Sequence, residues 1–121
     1  MKERVLHLHI EQTTSVLERA KAAWKRAAAG STSKDVEHLS FATFDMFNAA
    51  FTPKRWTLLR VLNASGPLSI RALSKDLERD YKSVHGDVAK LMELGLIVKR
   101  EDGKIEAPYD RIVSDIRMAA A

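Results

Sequence analysis

The chain has 121 residues, 45% of them hydrophobic and 30% charged, with no cysteine. These proportions fit one folded domain rather than a disordered tail. The missing thiols exclude a disulfide scaffold, a cysteine-ligated zinc or iron–sulfur site and a thiol nucleophile. Twenty Lys and Arg against 16 Asp and Glu give a net charge of +4 and a pI near 9.5, a balance suited to a polyanionic partner. No apolar run is long enough to span a bilayer. The charged start MKERVLHLHI lacks a signal-peptide core, so a cytoplasmic protein is expected.

Leu6, Leu8 and Ile10 alternate with His7 and His9, which predicts a short strand with one buried face. His-x-His invites a metal reading, but no third ligand stands at a fixed spacing. Two solvent-facing histidines and no metal site are expected. Ser15 and Glu18 then have the spacing of a capping box. Val16, Leu17, Ala20, Ala23, Trp24, Ala27 and Ala28 recur at helical spacing up to Gly30, which closes the helix. A polar loop over 31–36 follows. Residues 38–43 can form a second short strand, and Asp45–Phe51 a helix with Phe44, Phe47 and Phe51 on one side.

Sharper punctuation begins at Thr52-Pro53, an N-cap followed by proline at the first helical position. That helix carries Trp56, Leu58, Leu59, Val61 and Leu62 and stops at Ser65-Gly66-Pro67. Ser69 caps the next helix, with Ile70, Leu73 and Leu77 buried. Asp80 caps another, with Val84, Val88, Leu91 and Met92 buried, and Gly95 lies just past its end. Leu96–Arg100 reads as a strand, Glu101-Asp102-Gly103 as a hairpin turn, and Lys104–Ala107 as the return strand. Asp110–Met118 fits either a final strand or a short helix. The order helix, helix, helix, hairpin, with a very short turn around Arg79-Asp80, is that of a helix-turn-helix with a β-wing. In that arrangement the third helix enters the major groove.

The stretch SIRALSKDLERDYKSVHGDVAKLMELGLIVKRE resembles the winged helix-turn-helix of MarR-like and ArsR-like regulators. The junction from Leu91 through Gly95-Leu96-Ile97 to Lys99-Arg100 is typical of the step from recognition helix to wing. The short N-terminal strand, the Ala-rich helix, the Phe-containing segment and the ending Ala107-Pro108-Tyr109-Asp110-Arg111-Ile112 are similar to small transcriptional regulators that include TumA-like antitoxins. The expected fold is α+β and mainly helical, a winged helix-turn-helix with an N-terminal strand–helix extension. The expected divisions are 1–52 for the extension, 53–108 for the DNA-binding domain and 109–121 for the C-terminal strand or short helix.

Burial of the apolar residues leaves Lys82, Ser83, Gly86 and Lys90 pointing outward, with His85 and Asp87 at the margins. Lysine can donate to guanine O6 or N7, serine can donate or accept, and His85 can meet a base or a phosphate. Gly86 costs roughly 1 kcal/mol against alanine in mid-helix. Close approach to DNA, tight packing against another helix and simple tolerance are each open explanations. Asp87 counts against DNA binding, since a carboxylate repels phosphate unless it accepts from cytosine N4 or pairs with a neighbour. Arg100 and Lys104 on the wing, with Ser69 and Arg71 at the start of the bracing helix, are the expected phosphate contacts. Lys54 and Arg55 are read as a solvated helix turn, and Tyr81 and Tyr109 as packing residues.

Enzymatic motifs are absent: there is no Walker loop, no G-x-S-x-G, no H-E-x-x-H and no dinucleotide fingerprint. No enzyme activity and no cofactor are expected. The favoured function is sequence-specific binding of double-stranded DNA by a homodimeric repressor. Val16, Ala20, Trp24 and Ala27, and Phe44 and Phe47, are the candidate dimer surfaces. The alternative is an antitoxin or interaction module that binds a toxin protein and autoregulates its operon.

Overall fold

The computed structural model describes residues 3–10 and 36–116. The helix expected at 15–30, and with it Val16, Ala20, Trp24 and Ala27, lies outside the described residues. In chain order the elements are β1 (Val5–Ile10), β2 (Val36–Phe41), α1 (Phe44–Ala50), α2 (Pro53–Ser65), α3 (Ile70–Leu77), α4 (Tyr81–Glu93), β3 (Val98–Lys99), β4 (Ile105–Glu106) and β5 (Arg111–Asp115). They form two compact units, Met1–Asn48 with Arg111–Ala121, and Ala49–Asp110.

The first unit holds a three-stranded sheet in the order β2-β1-β5, and both pairings are parallel. Parallel neighbours need a long crossover, and the whole second unit intervenes in sequence between β2 and β5. The segment that fitted either a strand or a helix is thus a strand, and the far end of the chain supplies it to the N-terminal sheet. Leu6 and Leu8 are almost fully buried, and so is Phe41 on the same face. The opposite face brings His7 of β1 level with His38 of β2 and Val113 of β5.

The second unit follows its caps. The Thr52 hydroxyl accepts from the Arg55 amide at 3.3 Å, Ser69 from Ala72 at 3.1 Å, and an Asp80 oxygen from Ser83 at 2.9 Å. Each satisfies an amide that the first helical turn leaves without a partner. Leu58, Leu62, Leu73, Val84, Val88 and Leu91 fill the space among α2, α3 and α4. Between α3 and α4 the chain turns through Glu78, which takes the left-handed conformation at φ 53°.

The wing is shorter than the sequence suggests. Leu96 and Ile97 are drawn into the core, so only Val98–Lys99 remains to pair with Ile105–Glu106. The loop closes through Gly103 N–H to Arg100 C=O at 3.0 Å and Arg100 N–H to Lys104 C=O at 2.8 Å. With Gly103 at φ 86°, this is a three-residue hairpin loop with glycine at the left-handed position. Leu68 adds a bridge to Ile105, with N–H···O distances of 3.0 and 2.8 Å, and so fastens the start of α3 to the wing. The Asn63 side-chain amide donates to the carbonyls of Ala107 and Tyr109 and holds the chain as it leaves the wing. The fold is α+β and mainly helical, with a winged helix-turn-helix as its second unit.

Candidate nucleic-acid interface

The periodicity of α4 decides which side chains it offers to solvent. Val84, Val88 and Leu91 are buried, while Tyr81, Lys82, Ser83, His85, Gly86, Ala89 and Lys90 are exposed. Ser69 and Arg71 at the start of α3, and Arg100 and Lys104 on the wing, are also exposed. All nine residues selected from the sequence as DNA contacts therefore reach the surface of one unit.

Asp87 does not oppose that surface. Its side chain is 16% exposed and accepts from Arg55 Nε at 3.0 Å and from Arg79 Nη2 at 2.7 Å. Burial pushes its carboxyl up, but the bonds from Arg79 and Arg55 outweigh burial and hold it below the ordinary carboxylate range. The one acid in the middle of α4 is turned inward and neutralised twice. Arg55 is accordingly no solvated residue: its Nη1 also donates to the carbonyls of Ala49 and Ala50, near the end of α1. One guanidinium thus joins the end of α1, the start of α2 and the middle of α4.

Ser83 is less available than its position suggests. Its hydroxyl donates to Asp80 Oδ1 at 2.8 Å while its amide donates to Oδ2. The bonds from Ser83 lower the pKa of Asp80. Ser83 retains acceptor capacity towards a base and supports the helix start. Lys90 lies 3.6 Å from Glu93, and Arg100 has Asp102 at 3.6 Å and Glu106 at 3.9 Å. These exposed contacts are weak and exchangeable.

Among the described residues, a Cβ placed on Gly86 would meet nothing within 4 Å. Packing against the described residues therefore does not explain the glycine. Tyr81, read from the sequence as a packing residue, is 46% exposed. The ring of Phe51 instead does the packing expected of an aromatic, stacked on Trp56 at 4.5 Å between centroids.

The histidines also differ from expectation. His7 and His9 are half-buried rather than solvent-facing. They share the sheet face with His38, at centroid distances of 5.5 Å from His7 and 5.0 Å from His9. His9 Nε2 lies 2.8 Å from His38 Nδ1, a hydrogen bond whose direction depends on the tautomers. Parallel register, which residue spacing does not encode, delivers this third ring. Among the described residues, no group of three or more His, Cys, Asp or Glu side chains is arranged to hold a metal ion.

Of the α1 residues read as a dimer surface, Phe44 is 36% exposed. Phe47 is half-buried, edge-on to Phe41 at 5.7 Å. Among the described residues no helix is long and apolar enough to cross a membrane.

The family model HVO_A0114 matches residues 50–114. No curated protein matches the chain in sequence. Among solved structures, the chain is similar to a multiple antibiotic-resistance repressor (MarR) from Listeria monocytogenes 4b F2365, with 21% identity and a TM-score of 0.46. The similarity covers 75% of this chain and 59% of that one, so this chain spans less than two thirds of the repressor's length.

Proposed function

The chain belongs to the HVO_A0114 family, whose matched region contains the entire helix-turn-helix and wing; from that motif and the outward face of α4 we propose that it is a sequence-specific regulator that binds double-stranded DNA. One observation carries the proposal. The outward side of α4 presents Lys82, His85, Gly86 and Lys90, while the only acid in the middle of the helix is drawn inward by Arg55 and Arg79. A helix with that face suits the major groove, and Lys82 in its first turn is placed to donate to guanine. Arg100 and Lys104 on the wing, and the capped start of α3 at Ser69 with Arg71, hold the flanking phosphates.

The protein acts as a homodimeric repressor in this reading. A helix of 13 residues covers only a few base pairs. Residues 69–104 hold eight cations and seven anions, too small an excess for strong binding by one copy. Two copies on half-sites about one helical turn apart supply the rest. Phe44 and Met46, 36% and 54% exposed on α1, support a contact between copies there.

Selection of duplexes from a random library by the purified full chain, at two salt concentrations, tests the proposal. An enriched inverted repeat whose binding falls steeply with salt is the expected result. Absence of enrichment overturns it and favours a protein partner, for which a neighbouring toxin-like reading frame is the first place to look.

A further inference from the structure

Tyr81 is the first residue of α4, and the role given to that helix above leaves its ring unused. Tyr81 is 46% exposed. The guanidinium carbon of Arg71, from the first turn of α3, lies 5.4 Å from its centroid. The His85 ring, one turn along α4, lies 5.9 Å away. Arginine over an aromatic face is attractive, and together the two neighbours restrict the ring without burying it. The core side of the same turn is already filled by Val84, which is fully buried. A residue needed for packing would lie there. Tyr81 instead stands on the outward side, beside Lys82.

We propose that Tyr81 is a specificity-determining residue that meets the 5-methyl group of a thymine in the major groove. The inference rests on the DNA-binding reading above. Of the exposed first-turn residues Tyr81, Lys82 and Ser83, only Tyr81 offers a broad, rigid apolar surface, since the stem of Lys82 is flexible and ends in a charge. In the major groove, thymine is the one base that offers an apolar group, its methyl. A ring already held by Arg71 and His85 has little freedom left to lose on binding, which favours contact. Arg71, fixed beside it, presents its cation to the adjoining backbone.

The test uses the full chain and the duplex recovered by selection, with each thymine replaced in turn by deoxyuridine. That change removes the methyl and leaves base pairing intact. For the wild type, one thymine per half-site should show about fourfold weaker binding on replacement, the worth of one buried methyl-sized group. Tyr81→Ala should bind the thymine and uridine duplexes equally, and Tyr81→Phe, which keeps the ring, should behave as the wild type. Tyr81→Gln, with thermal unfolding measured beside it, gives the same comparison if the alanine variant does not fold. An equal uridine penalty in wild type and variant, or no penalty at any thymine, overturns the inference. Those outcomes leave the recovered duplex, and so the DNA-binding reading, standing. Failure of the wild type to recover any duplex overturns both.

Discussion

Arg79 donates through Nη2 to Asp87 Oδ2 at 2.7 Å, tying the turn between α3 and α4 to the middle of the helix that turn presents. Arg55 holds the other carboxylate oxygen from α2, so one acid links α2, the turn that follows α3 and the middle of α4. An acid that looks unfavourable on a DNA-binding helix is a brace for that helix.

Removing the charge from this brace should be costly. Asp87→Asn leaves two part-buried guanidinium groups short of a carboxylate, which should destabilise the fold by about 2 kcal/mol at neutral pH. The pKa of Asp87 is lowered on folding. Its contribution is therefore fully present above the unfolded value, about 3.9, and is lost as pH falls through the lower folded value. Urea unfolding of wild type and variant at pH 7 and at about pH 3 checks this. The gap between the two should narrow in acid, and an undiminished gap would remove the carboxylate charge as its source.

Gly86 separates stability from function. None of the described residues lies within 4 Å of the position a Cβ would take there, and glycine in a helix interior costs about 1 kcal/mol against alanine. Gly86→Ala should thus raise stability by roughly that amount. The same methyl projects from the face assigned to the groove, so DNA affinity should fall. Thermal unfolding and a binding titration on the same preparation check the pair. A stabilised variant with unchanged affinity would mean that the glycine is merely tolerated.

Glu78 holds the left-handed conformation in the turn of the motif, at φ 53° and ψ 44°. A residue with a Cβ is disfavoured there by about 1 kcal/mol, a cost that glycine avoids. Glu78→Gly should raise the unfolding temperature, whereas Glu78→Ala, which loses the charge but keeps the Cβ, should not. A similar gain in both variants would assign the effect to charge rather than to backbone conformation.

The local features of this fold are legible because each is written in adjacent residues. Thr52-Pro53, Ser69 and Asp80 mark their helix starts by side-chain chemistry, and Gly103 marks the wing loop. The spacing of Val84, Val88 and Leu91 fixes the outward face of α4. Features joined over long separations are less visible. Alternation identifies β1 as a strand but does not show that β5, at the far end of the chain, pairs with it, or that His38 meets His9. The environment of Asp87 belongs to the same class. Its partners stand 8 and 32 residues away, and no helical periodicity reveals that a charged side chain at the margin of a face turns inward. Tyr81 is misjudged for the opposite reason: aromatic residues usually pack, and only the geometry shows this one standing outside the core.

Lys82 and Arg100 should divide the work of binding between base and backbone. Lys82 is exposed in the first turn of α4, where a side chain reaches base edges, so Lys82→Ala should relax sequence preference. Arg100 stands on the wing between Asp102 and Glu106, and those loose contacts exchange readily for a phosphate. Arg100→Ala should weaken all sequences alike and reduce the salt slope by about one unit. Binding of the selected duplex and a scrambled one, each measured across salt concentrations, separates the two effects. A change of sequence preference in Arg100→Ala, with only a slope change in Lys82→Ala, would exchange the roles of wing and helix. It would place the wing in contact with base edges and α4 along the backbone.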